Sequence, residues 1–253
     1  MTFSFRPGTN DHEIYDLVVR RNEYRLPDRF APGAVVIDIG MHIGTFCYLA
    51  LVRGAARVYG FEPEPSNYAC ASRNLAPFGD RVQLSNCAVW RSDIPASPLH
   101  FSASSDVTNA GGGTLILQTD GPLVNVVPFD EVVETASNRG ARRIDLVKID
   151  CEGAEFPILL TSRLLGRVDR IVGECHELRA QLAPHVRIPN CEEFAVEDLG
   201  AGLGRAGFSV TWHGQVNAKY GKRGLFFADR RVSVRPAPLF AALRRFLGLQ
   251  SDP

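Results

Sequence analysis

Ala34-Val35-Val36-Ile37-Asp38-Ile39-Gly40-Met41-His42-Ile43-Gly44 is the stretch around which the rest of the chain arranges itself. Residues 34–39 form a short, largely β-branched run that ends in glycines. A continuous apolar strand is what a parallel sheet covered on both faces requires. Gly40 and Gly44 lack Cβ atoms, so the chain can turn tightly there and a ligand can lie against the backbone. The spacing is Gly-x-x-x-Gly, not the Gly-x-Gly-x-x-Gly that cradles a pyrophosphate, which counts against a nicotinamide dinucleotide. Asp38 at the strand end points the same way, because it repels phosphate and welcomes a cation. A ligand with an amino group and no phosphate fits better, and S-adenosylmethionine, with an ammonium and a sulfonium, is such a ligand.

Outward from this stretch the pattern alternates. Residues 11–24 read as an opening helix capped by Asn10 or Asp11, with residues 1–33 as an N-terminal helical segment. After the glycine turn come a helix over 43–52, a strand over 57–61 closed by Glu62-Pro63, a helix over 66–75 and a strand over 81–89. Residues 92–122 break the rhythm. They are rich in Ser, Asn, Gly and Pro, with strand-like pieces at 99–101 and 114–117, and the 104–113 stretch reads as a lid or as a surface loop. The alternation resumes with a helix at 129–139, a strand at 144–149 ending at Asp150, a helix at 154–165 and a strand at 170–173 ending at Glu174. A helix at 192–206 and two strands at 208–213 and 224–228, joined by the polar stretch 214–223, close it. This predicts an α/β, Rossmann-like, doubly wound and mostly parallel seven-stranded sheet with an antiparallel last strand, in a single domain over 1–253. The tail, 232–253, contains an amphipathic segment at 238–249, suited to docking on the domain or on a second subunit as a homo-oligomer contact, with a membrane surface as the alternative.

Composition narrows the function classes. The chain has 253 residues, is 45% hydrophobic and 22% charged, and balances 28 basic against 28 acidic residues. A neutral chain has no electrostatic footprint for phosphate backbones, so no nucleic-acid partner is expected. No run approaches the ~20 apolar residues of a membrane span, and the N-terminus lacks a signal-peptide pattern. The six cysteines are scattered without a Cys-x-x-Cys pair, which reads as buried thiols in a cytoplasmic protein. The only lysines are Lys148, Lys219 and Lys222. The arginine excess reads as coding bias, or as arginines gripping an anionic substrate.

Several segments together resemble one family. Asn22-Glu23-Tyr24, the 32–44 stretch, Phe61-Glu62-Pro63, Phe129-Asp130-Glu131-Val132-Val133 and Glu174-Cys175-His176 are similar to the corresponding segments of FkbM-family methyltransferases. Asp145-Leu146-Val147-Lys148-Ile149-Asp150-Cys151-Glu152-Gly153-Ala154-Glu155 resembles that family's hallmark, and the likeness covers roughly residues 23–177. Met41 and His42 stand where the family often has Ala and Asn, and Cys151 replaces a usual Val. The resemblance implies a class I methyltransferase fold and S-adenosylmethionine-dependent O-methylation of a hydroxyl on a small molecule, sugar or natural product. It implies that Asp38, Gly40 and Gly44 hold the methionine moiety, with His42 and Thr45 beside them. It places Glu62 at the ribose, Asn86, Cys87 and Ala88 at the adenine, and Asp150 facing the methyl group, with Asn67 as a further cofactor-binding residue.

The residues themselves supply a chemical reading. Asp38, Glu62, Asp150 and Glu174 each end a predicted parallel strand, so they line one rim, where ligands of open α/β sheets bind. Four carboxylates on one rim require a cationic partner: the cofactor, Lys148, His176 or a metal. His176, whose unperturbed pKa is near neutrality, is the first candidate base, with Asp150 second and Glu174 beside them. For His42, His100 and His185 local hydrogen bonding is the simpler reading. Asp150, Glu152, Glu155, Glu174 and His176 form an oxygen-rich set with one imidazole that suits magnesium or manganese better than zinc. Glu155 reads as the residue at the helix start and Glu152 as the site residue. A small-amine N-methyltransferase, a nicotinamide oxidoreductase and a non-catalytic cofactor-binding scaffold are the alternatives. The amide–proline–aromatic motif of amine methylases is missing after the fourth strand.

Overall fold

The computed structural model of the chain describes residues 3–102, 112–114, 121–178, 186–188, 191, 193–218 and 221–231. The strands are β1 (Val35–Ile39), β2 (Arg57–Phe61), β3 (Val82–Ser85), β4 (Ala88–Trp90), β5 (Leu99–His100), β6 (Leu123–Val124), β7 (Val126–Pro128), β8 (Leu146–Ile149), β9 (Arg170–His176), β10 (Phe208–Ala218) and β11 (Gly221–Arg230). The helices are α1 (Asp11–Tyr15), α2 (Thr45–Val52), α3 (Pro65–Leu75), α4 (Phe129–Ala136), α5 (Glu155–Leu160) and α6 (Val196–Arg205). Seven strands make the main sheet in the order β10-β11-β9-β8-β1-β2-β3. The pairs β3–β2, β2–β1, β1–β8 and β8–β9 are parallel, and β11 is antiparallel to both β9 and β10. The expected Rossmann-like, doubly wound sheet with an antiparallel last strand is therefore the one observed.

The sheet is covered on both faces, which explains why β1 is apolar along its whole length. Successive strand residues point to opposite faces. Val35, Ile37 and Ile39 join Phe129 of α4, Phe156 of α5 and Leu199 of α6 in one core. Val36 joins Phe46 and Leu51 of α2, Leu75 of α3 and Val18 of the N-terminal segment in the other. Each such fully buried side chain contributes about 1.5–3 kcal/mol, so both layers hold the sheet that positions the site.

Several boundaries differ from the sequence reading. The opening helix is one short turn, α1, continued by a π-helical turn at Asp16–Arg20. Neither Asn10 nor Asp11 caps it; the Asp11 carboxylate is turned inward onto Arg6. The single strand expected at 81–89 is two strands. β3 stays in the main sheet, while β4 leaves it to pair with β7. α3 starts with Pro65 and is capped by Glu64, whose carboxylate accepts from Asn67 N at 2.6 Å. β9 runs on through Glu174 to His176. Of the polar stretch expected as a connection at 214–223, residues 216–218 pair with 221–223 and continue the ladder of β10 and β11, with an irregularity between His213 and Val216. The 104–113 stretch lies mostly, and the amphipathic 238–249 segment and His185 wholly, outside the described residues. Among those described, no helix is long and apolar enough to cross a membrane.

Candidate functional site

A cavity of about 520 Å³ opens at the carboxyl ends of β1, β2, β8 and β9. One wall is the glycine turn after β1. Gly40 N and Met41 N both donate to Phe61 O, at 3.0 and 3.1 Å, which ties the turn to the end of β2. Gly40 has φ +75°, and a Cβ there would stand 2.1 Å from Asp150 O. Only glycine fits where the turn crosses the end of β8. His42 follows with φ +52° and lines the cavity with Gly40 and Thr45.

Asp38 and Gly44 do not line the cavity. Gly44 starts α2 with φ +87° and lies against Leu75, whose Cδ1 would be 2.8 Å from an added Cβ. Asp38 is fully buried beneath the turn. Its Oδ2 accepts from Cys47 Sγ at 3.2 Å, and Lys148 Nζ lies 3.2 Å from its Oδ1. Lys148 also donates to Gly40 O at 2.5 Å. Burial would depress this ammonium, but Asp38 and Asp150 outweigh it and hold it above the usual lysine range. Lys148 thus locks the glycine turn and compensates Asp38 at once.

Glu62 is the centre of the next group. It is 5% exposed, and its Oε2 accepts from His42 N at 2.9 Å while Oε1 accepts from Glu64 N at 3.0 Å and Asn67 Nδ2 at 3.4 Å. Burial outweighs these bonds and pushes its carboxyl up to about 7. Asn67 is not in the wall; it steadies Glu62 and accepts from Arg6 Nη1 at 2.6 Å. Asn86 is not in the wall either: its amide donates to the carbonyls of Glu62 and Pro63 and fixes the end of β2. Cys87 and Ala88 do line the cavity.

The N-terminal segment closes this side. Arg6 pairs with the fully buried Asp11 and places Nη2 3.0 Å from His42 Nε2. A guanidinium only donates, so His42 Nε2 accepts and Nδ1 carries the proton. That Nδ1 is buried without a partner. Burial drives the imidazole down to about 4, so it is neutral at physiological pH.

The acidic end lies across the cavity. Asp150 Oδ2 accepts from Tyr24 Oη at 3.0 Å. Against its burial, Lys148 and His176 hold the carboxyl below the usual range. Glu174 is gripped by Arg223 through Nε and Nη2, the latter at 2.9 Å. Glu155 is fully buried at the start of α5, and its two oxygens accept from Cys151 N at 2.8 Å and Gly153 N at 2.9 Å. It serves the helix start as expected and reaches His176 Nδ1 as well, at 3.2 Å. Glu152, with φ +51°, lines the cavity and lies 3.4 Å from His176 Nε2.

This arrangement corrects one expectation. Burial would lower the His176 pKa, but Glu155 and Glu152 raise it to about 10. The imidazole therefore holds its proton at neutral pH and is not poised to take another. Burial instead pushes Glu23, beside Asp150 and Glu174, and Glu152 to about 7 each. Arg6, Asp11, Glu23, Tyr24 and Arg223 were not singled out as site residues. Glu23 and Tyr24 lie inside a segment of family likeness, whereas Arg6 and Arg223 carry no local signal. At the described edge of the 92–122 excursion, Gly113 lines the cavity and Thr114 Oγ1 donates to Glu152 O at 3.0 Å.

The Methyltransferase FkbM domain model matches residues 38–196, more than half of the chain. The chain is 26% identical over 192 residues to the 31-O-demethyl-FK506 methyltransferase FkbM of Streptomyces tacrolimicus, covering 65% of this chain and 74% of that one. It is also 26% identical over 202 residues to the AMB antimetabolite synthetase AmbE of Pseudomonas aeruginosa, covering 66% of this chain but 9% of that much longer protein. The solved structure of EvdMO1 aligns with 99% of this chain and 55% of its own, at 14% identity and a TM-score of 0.47. With its family model spanning the glycine turn, Glu62, Asp150 after β8 and Glu174 of β9, the chain belongs to the FkbM methyltransferase domain family.

Proposed function

We propose that the protein is an S-adenosylmethionine-dependent O-methyltransferase acting on a hydroxyl of a small molecule, sugar or natural product. The observation that carries the reading is the division of one cavity into a closed, hydrogen-bonding end at His42 and Glu62 and an acidic end at Asp150, Glu152 and Glu174. The residues present fit such a cofactor. The unpartnered His42 Nδ1–H supports a hydrogen bond to the cofactor's carboxylate. Glu62 keeps lone pairs for a pair of ribose hydroxyls, and the carboxylates suit an ammonium and a sulfonium.

When bound, the cofactor supplies an electrophilic methyl group. Its transfer to the acceptor oxygen would leave S-adenosylhomocysteine, the methyl ether and one proton. Alignment of the acceptor oxygen supplies much of the rate, and the walls of the cavity serve that role. Glu23 and Glu152, poised near 7, are the groups placed to take the proton. Their neighbours Asp150 and Glu174, held by Tyr24 and Arg223, stay fixed as the negative floor of that end.

The test is transfer of an isotopically labelled methyl group from S-adenosylmethionine to mixed monosaccharides, phenols and alkyl amines, read by mass. Labelled methyl ethers are the expected product. Labelled amines alone would replace this reading with N-methylation.

A further inference from the structure

We propose that Asp150, Glu174 and His176 form a divalent-cation site of the magnesium and manganese class at the acidic end of the cavity. One ligand atom from each lies within 4.8 Å of the others. A six-coordinate ion of this class, with bonds of about 2.1 Å, holds its donors about 3.0 Å apart when adjacent and about 4.2 Å apart when opposite. The fold makes the cluster. Glu174 and His176 are two apart on β9 and share one face of the sheet. Ile149 pairs with Gly173, so the next position brings Asp150 beside Glu174.

The second observation is the orientation of His176. The residue is 8% exposed, its Nδ1 faces Glu155 Oε1 at 3.2 Å, and its Nε2 is buried without a hydrogen bond. Glu155 is itself fixed by two backbone N–H groups. A carboxylate that holds one ring nitrogen so that the other faces a donor cluster is the usual support of a metal-bound imidazole, and binding of the ion displaces to solvent the Nε2 proton that the metal-free cluster holds. Tyr24 engages Asp150 and Arg223 engages Glu174, but each carboxylate oxygen keeps another lone pair for an ion. Two carboxylates and one imidazole, without a thiolate, favour manganese or magnesium over zinc. The inference rests on the proposed methyl transfer for its use: an ion here presents an acceptor hydroxyl, or a pair of hydroxyls, to the cofactor end.

The experiment uses the full chain, treated with a chelator and titrated with Mn²⁺ alone while free Mn²⁺ is followed by electron paramagnetic resonance. One Mn²⁺ per chain is expected, with a dissociation constant of about 1 mM or tighter. Coupling to a single imidazole nitrogen is expected in the pulsed spectrum, lost in His176→Gln. Glu155→Gln, which leaves all three ligands, weakens binding about 10–100-fold. Absence of Mn²⁺ binding to the wild-type chain, or binding without nitrogen coupling, overturns the proposal, and neither result depends on a variant that folds. Titration of the same metal-free protein with S-adenosylhomocysteine separates the two readings. S-adenosylhomocysteine binding without Mn²⁺ binding overturns the cation site alone. Mn²⁺ binding with nitrogen coupling but without S-adenosylhomocysteine binding supports the site and removes its proposed use.

Discussion

Glu62→Gln separates the two duties of the most enclosed carboxylate in the cavity wall. The side chain is 5% exposed and accepts from His42 N and Glu64 N on different oxygens. Glutamine keeps the shape but replaces one oxygen by an NH₂ group. In either amide orientation that NH₂ faces one of the two backbone N–H groups, so a buried donor loses its acceptor. The fold should lose about 1–3 kcal/mol for that donor. Ligand affinity should fall separately, because a charged acceptor of the ribose hydroxyls is gone. The same range of about 1–3 kcal/mol corresponds to a roughly 5- to 150-fold weaker dissociation constant. The assay is calorimetric titration with S-adenosylhomocysteine, with thermal melting to show that the variant is folded at the working temperature. The pH series adds a signature. Burial pushes the Glu62 carboxyl up to about 7, so below that pH the wild type gains a proton and loses acceptor capacity. The gap between wild type and variant should therefore be widest above pH 7 and close as the pH falls. A folded variant with wild-type affinity at pH 8 would refute the assignment of Glu62 to the ribose.

Lys148→Met leaves Asp38 buried with no cation, and removal of one partner from a buried pair costs about 3–5 kcal/mol; a loss below about 1 kcal/mol in chemical denaturation would show that the turn does not depend on this charge. Gly40→Ala and Gly54→Ala both place alanine at positive φ, a cost of about 1–2 kcal/mol. Only at Gly40 would the new Cβ also meet Asp150 O, at 2.1 Å, so it should lower the melting temperature much more than Gly54→Ala, and equal shifts would contradict the packing argument. Methyl transfer should fall as the pH drops through about 7, where the base fills with a proton. Of Glu23→Gln and Glu152→Gln, the one that removes the base should cut turnover by about 10²–10⁴-fold and abolish that limb; survival of the limb in both variants would move the base elsewhere.

Much of the architecture is legible in the chain because its signals are local. The β-branched run of β1, the glycines after it and the apolar run before Asp150 each declare a strand buried on both faces. The polarity of residues 214–223 hides the ends of β10 and β11, because a ladder of backbone hydrogen bonds is indifferent to that polarity. The fate of β4 was hidden for a related reason. Its partner β7 lies about 40 residues away, beyond the excursion, and nothing in Ala88-Val89-Trp90 says which sheet will take it.

At the site, the acids of β8 and β9 were legible from their place at strand ends, but their environment was not. His176 looked like a base because imidazole titrates near neutrality. Its proton is held by Glu155 and Glu152, a consequence of how α5 begins rather than of any spacing along β9. Asp38 looked like a ligand contact at the strand end, yet the turn folds over it and Lys148 claims it. Arg6 is 36 residues from His42 and 61 from Asn67, and only the closed N-terminal segment brings them together.

The central claim is that this cavity takes a phosphate-free, amino-bearing adenosine cofactor. Calorimetric titration of the purified protein with S-adenosylhomocysteine, with NADH as the parallel ligand, tests it most directly. Saturable one-to-one binding of S-adenosylhomocysteine and none of NADH is expected. Binding of NADH with none of S-adenosylhomocysteine would contradict it, and with it the reading of the Gly40–Gly44 turn.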